Sequence, residues 1–87
     1  METLLFRVAG IDIHKTFVMV CVRITDPQTG QVTQEVRRFG TMTADLESMR
    51  DWLKSQQVTH VAMESTGVYW KQIWNILEGH VQLLLAN

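Results

Sequence analysis

The sequence predicts an α/β fold built on one mixed sheet. Three observations point there. Three β-compatible runs divided by turn residues fill the first forty positions, and after Gly40 the apolar period lengthens from two residues to the helical 3.6. Beyond that point two helical stretches alternate with two short apolar runs, the pattern of parallel strands joined by crossovers.

The elements follow in order. Leu4 to Ile13 is apolar, β-compatible and too short for a helical pattern, so it reads as a buried central strand. Phe17 to Thr25 carries Val18, Val20, Val22 and Ile24 in strict alternation, a strand with one buried face. Asp26, Pro27, Gln28, Thr29 and Gly30 concentrate turn chemistry, and Val32 to Phe39 resumes a looser alternation. These three runs form an antiparallel meander. Gln34, Arg37 and Arg38 dilute the third, which places it at the sheet edge, where charge discourages unwanted pairing.

Thr43 is the expected cap of a first helix running to about Gln57, with Asp45 and Glu47 near the positive end of its dipole. Leu46, Met49, Trp52 and Leu53 give that helix one apolar stripe. Val58 to Met63 is a short strand, and Ser65, Thr66 and Gly67 punctuate the chain before a second helix over about Val68 to Glu78. Its stripe holds Tyr69, Ile73, Ile76 and Leu77, with Trp74 off it, and Gly79 suits the left-handed residue that ends it. Val81 to Leu85 is the last strand.

A hairpin pair joined to parallel strands by right-handed helical crossovers gives a five-stranded mixed sheet, which resembles the ribonuclease H-like architecture, and that architecture implies the strand order 3-2-1-4-5. One domain spans residues 1–87. Strands one and four are then neighbours whose C-terminal ends point the same way. Asp12 ends the first and Glu64 the fourth.

Bulk composition narrows the function classes. Hydrophobic residues at 46% and charged residues at 20% lie near globular averages, which excludes a disordered or fibrous chain. A formal net charge of −1 gives no general attraction to a polyanion, so any nucleic-acid contact is local, bridged by metal or shared with other sequence. The single Cys21 cannot form an internal disulfide and is expected as a buried free thiol, which fits a reducing cytoplasm. No apolar run approaches the ~20 residues that cross a bilayer, and no secretory signal follows Met1.

Two carboxylates at adjacent strand ends repel by roughly 4 kcal/mol at ~4 Å and an effective dielectric near 20. A shared proton or a cation relieves that cost, and hard divalent ions such as Mg²⁺ or Mn²⁺ take oxygen ligands. Two such ions ~3.5 to 4 Å apart suit phosphoryl transfer. An acidic residue at a strand end more often caps a turn or stays solvated; it is the pairing of Asp12 with Glu64 that favours a metal-bearing, catalytic reading.

Gly10-Ile11-Asp12-Ile13-His14-Lys15 and Glu64-Ser65-Thr66-Gly67-Val68-Tyr69-Trp70 resemble the two leading motifs of the DEDD insertion-sequence transposases, relatives of the pilin gene invertase. The resemblance covers essentially the whole chain. It implies an N-terminal domain similar to the RuvC Holliday-junction resolvase and a DNA recombinase in which Asp12 and Glu64 match the first two carboxylates of a metal-binding tetrad. It further implies two aspartates downstream of the fifth strand, a separate C-terminal domain with a catalytic serine, and DNA as partner. Some members are guided by a structured RNA. On this reading the chain is a truncated or excised portion, inactive alone and expected to self-associate.

Within the same motif Lys15 is a point charge able to meet a scissile phosphate or a guide-RNA backbone, with a solvated turn lysine as the alternative. His14 could assist proton transfer or hydrogen-bond locally, with the local, structural role favoured, and His60 and His80 read as structural or exposed. Ser65 and Thr66 read as hydroxyl caps for the second helix and Gly67 as the turn beneath Glu64. Tyr69, Trp70 and Trp74 could stack on bases. Their helical spacing favours packing, with Trp74 at an interface. Arg23, Arg37 and Arg38 form a candidate basic patch near the outer strands.

Two other functions compete. An ATP-dependent phosphotransferase of the actin and sugar-kinase fold also begins with a strand ending in aspartate, but it needs a glycine-rich turn where His14 and Lys15 stand here. The other is a non-catalytic dimerisation or binding module.

Overall fold

A computed structural model describes residues 5–65 and 67–86. Three strands come first: β1 (Arg7–Ile13), β2 (Phe17–Thr25) and β3 (Val32–Gly40). Then α1 (Thr43–Ser55), β4 (His60–Ser65), α2 (Trp70–Leu77) and β5 (Gln82–Ala86) follow. The five strands form one sheet in the order β3-β2-β1-β4-β5. β1 pairs antiparallel with β2 and β2 with β3, while β4 runs parallel to both β1 and β5. This is the mixed sheet expected, with β3 at one edge.

Both helices pack on the same face. Alternation sends Ala9, Ile11 and Ile13 of β1, Val18, Val20 and Val22 of β2, and Val61 and Met63 of β4 to that side, all buried. Leu46, Met49, Trp52 and Leu53 of α1 meet them, as do Ile73 and Leu77 of α2. The helical stripe read from α1 is therefore the core stripe. Tyr69 departs from the stripe read for α2: it precedes the helix and is exposed, while Trp70 and Trp74 pack against the core and meet each other edge-to-face with centroids 5.9 Å apart.

Boundaries moved for identifiable reasons. β1 begins at Arg7 rather than Leu4, because Arg7 pairs with Ile24 and β2 runs out at Thr25, where Asp26 accepts the turn hydrogen bonds of Gln28 and Thr29; Leu4 lies outside the described residues. β4 is shifted two residues toward its C-terminus and takes in Glu64, since its span is set by pairing with Val8–Ile13 of β1 and not by where its own apolar run ends. Thr43 is not the cap of α1. Met42 holds that position, and its backbone N–H donates to the Asp45 carboxylate at 3.2 Å, which closes the first turn.

The cap position of α2 likewise falls elsewhere than expected. Ser65 belongs to β4, the helix starts at Trp70 with Tyr69 at the cap position, and Thr66 lies outside the described residues. Gly79 takes the left-handed conformation after α2, with φ 85°, and Gly67 takes it (φ 74°) in the turn that follows β4. Glycine adopts this conformation without the strain that a Cβ brings.

The central strand differs from expectation in one respect. β1 is central but covered on one side alone: Gly10 and Asp12 alternate with the buried residues and are exposed. The second face of the sheet is open, and the site lies on it.

Candidate active site

Pleating sorts the open face into rows that cross the strands. One row reads Arg38, Met19, Asp12, Glu64, Ala86, each the Cα partner of the next. The row beneath is Val36, Cys21, Gly10, Ala62, Leu84, entirely apolar or small. Asp12 and Glu64 are thus direct partners across a parallel pair, about 4.8 Å apart between strands. The backbone ladder sets this juxtaposition; it requires no side-chain contact.

These residues line a cavity of about 370 Å³ together with Met19, Cys21, Val36 and Ala62. Cys21 is half-buried at its floor and free of disulfide bonding, where the sequence had suggested full burial. The Asp12 carboxylate is exposed, as is Glu64, so two anionic oxygen groups stand side by side in water at the end of the sheet.

His14 joins them. Its Nε2 lies 2.9 Å from Asp12 Oδ2, so the protonated nitrogen donates to that oxygen, and its ring stacks on Phe17 with centroids 4.3 Å apart and planes 14° from parallel. The backbone N–H of His14 also donates to the Phe17 carbonyl at 2.9 Å, closing the β1–β2 turn. Local hydrogen bonding was the role read for His14; what the sequence did not disclose is that its partner is the candidate carboxylate. Lys15 sits in the same turn, exposed.

The three arginines are not one patch. Adjacent residues of a strand point to opposite faces, so Arg37 lies on the helix side, over the Trp52 ring at 4.5 Å and ion-paired with Glu35 at 2.7 Å. Arg23 and Arg38 lie on the open side. Arg38 rests its guanidinium over Phe17 at 4.0 Å, the same ring on which His14 stacks. His60 is half-buried with Nδ1 2.8 Å from the Thr59 hydroxyl, and His80 is exposed, both away from the carboxylates.

Among the described residues no group of three or more His, Cys, Asp or Glu side chains is arranged to hold a metal ion. Asp12 and Glu64 nevertheless fit part of a hard-cation shell, being oxygen donors adjacent on an open face. No described helix is long and apolar enough to cross a membrane.

The topology and the paired strand-end acids define a ribonuclease H-like domain. A transposase family model, that of the DEDD transposases of the IS110 type, matches residues 9–86, and the chain belongs to this family. No curated protein sequence matches it. Among solved structures it is similar to the Fowlpox virus Holliday junction resolvase, with a TM-score of 0.69 and 12% identity over 94% of this chain and 61% of that one. The Fowlpox virus resolvase in complex with Holliday junction DNA gives 0.66 and 11%, over 94% and 60%. A member of the Ppx/GppA family from Aquifex aeolicus gives 0.59 and 14%, over 95% of this chain and 35% of that one. At these identities the likeness is one of fold, and the chain spans about 60% of the resolvase length.

Proposed function

We propose that the chain supplies Asp12 and Glu64 as two ligands of a divalent-metal site for DNA strand cleavage and transfer in a transposase. The observation that carries this reading is the register of β1 with β4, which makes the two acids direct partners on the open face. Mg²⁺ or Mn²⁺ bound there would activate an attacking oxygen and stabilise a leaving one. The residues present would do the rest. Asp12 and Glu64 hold the cation, His14 fixes one Asp12 oxygen through its 2.9 Å contact, and Lys15 offers a cation to a nearby phosphate.

Further carboxylates from sequence downstream of β5 complete the site in this reading, and the chain alone does not cut DNA. A structured guide RNA, self-association and a cytoplasmic setting belong to the same proposal. The phosphotransferase alternative gains nothing from the β1–β2 turn, where the His14 ring and Lys15 side chain occupy the space a phosphate-cradling backbone needs.

Isothermal titration with Mn²⁺ is the direct test. The chain should bind weakly, Asp12→Asn and Glu64→Gln should each abolish the heat, and a protein extended beyond β5 should process DNA only with both acids intact. Binding that survives both substitutions would overturn the assignment.

A further inference from the structure

Arg38 occupies the same row as the two acids, two strands from Asp12, yet differs from its neighbour Arg37 in every contact. The Arg37 guanidinium is neutralised by Glu35. Arg38 has no ion pair among the described residues; its contact is the Phe17 ring. Stacking uses the face of a guanidinium and leaves its five N–H donors, which lie in the plane, available. A cation held in this way is pre-organised for an anion that accepts two parallel hydrogen bonds.

Position suggests which anion. The β3 edge of the open face is reached without crossing either helix, and the row from Arg38 leads directly to the carboxylates. Two strand spacings place Arg38 about 10 Å from Asp12 between Cα atoms, near enough for one nucleic-acid strand to meet both. A chain of net charge −1 cannot hold a polyanion by its overall field, so a cation placed beside the acids gains weight as a discrete contact.

We infer that Arg38, braced by Phe17, is a DNA backbone contact that holds a phosphate close to the one presented to Asp12 and Glu64. This rests on the nucleic-acid reading of the carboxylate site. Arg38 acts on binding and register and takes no part in the chemistry. The Phe17 ring ties Arg38 to Asp12, since it supports Arg38 and also the His14 ring that contacts Asp12.

The test is the salt dependence of binding of the 87-residue chain to a fluorescent four-way DNA junction, followed by anisotropy with Mg²⁺ present. Each phosphate contact contributes about 0.9 to the slope of log Kobs against log salt. Arg38→Ala should therefore lower the slope by about 0.9, an effect of about 3.5-fold between 50 and 200 mM salt. Arg38→Lys should keep the slope, and Arg37→Ala should match the wild type, because that charge is spent on the other face.

Equal slopes for Arg38→Ala and wild type, an equal loss in Arg37→Ala, or no binding of the junction by the wild-type chain would each overturn the inference. Mn²⁺ titration of the same variants separates the two readings. Arg38→Ala with normal metal binding but a reduced slope supports the contact, whereas Asp12→Asn that binds metal normally removes the site reading and leaves the Arg38 slope to stand or fall alone.

Discussion

Replacing Glu64 by glutamine removes one of two like charges without changing the shape of the side chain. The acids are direct cross-strand partners, and both are exposed, so their repulsion belongs near the water limit of the dielectric range. At about 5 Å in water two unit charges repel by about 0.8 kcal/mol. Screening reduces this to about 0.7 kcal/mol at 10 mM salt, about 0.45 at 150 mM and about 0.15 at 1 M. Glu64→Gln should therefore stabilise the metal-free chain by about 0.7 kcal/mol at low salt, a rise of about 0.7 M in the urea midpoint for a slope near 1 kcal/mol per M. The gain should fade as salt is added. With Mg²⁺ the sign reverses, because an ion at 100 times its dissociation constant stabilises the wild type by about 2.7 kcal/mol and the variant loses that site. Urea titrations followed by tryptophan fluorescence, in chelator and in Mg²⁺ at two salt concentrations, read all four cases. A variant that is less stable than the wild type in chelator, or whose gain persists at 1 M salt, would refute the electrostatic argument.

Two further outcomes test the fold beneath the site. Met63 is fully buried next to Glu64 in β4, and Met63→Ala should cost about 2 to 5 kcal/mol, lowering the melting temperature by at least about 8 °C; circular dichroism melting checks it, and a shift below about 4 °C would contradict the burial. Asp45→Ala removes the carboxylate that receives the Met42 N–H and should cost about 1 kcal/mol, seen as a lower urea midpoint with an unchanged slope.

Much of this was legible in the sequence because burial leaves a periodic trace. β2 falls on the residues expected, since Val18, Val20, Val22 and Ile24 alternate without interruption. The strand order and the pairing of Asp12 with Glu64 followed once the order of elements was matched to the ribonuclease H-like architecture. What failed to show were properties that partners decide. The ends of β1 and β4 are set by how far the neighbouring strand extends, and the α1 cap by a carboxylate reaching back from Asp45 in place of the hydroxyl that Thr43 offers. The split of Arg37 from Arg38 was available in principle, because strand alternation separates consecutive residues. Reading three arginines as one patch overlooked it. The contact of His14 with Asp12 depends on side-chain rotamers that Phe17 fixes across the turn, and no spacing rule encodes it.

The alternation that buries one face of the sheet has a consequence for fidelity. A slip of one residue in the pairing of β1 or β4 would carry that strand's acid from the open face to the helix face, into a layer of valine, methionine and leucine that could not solvate it. Ile11, Ile13, Val61 and Met63 lie on the side away from the open face, yet their preference for the covered side penalises every odd-numbered slip, which would turn the carboxylates inward. The core thus acts as a proofreading device for the position of the acids, and core changes that weaken this preference would put the address of the site at risk before its chemistry.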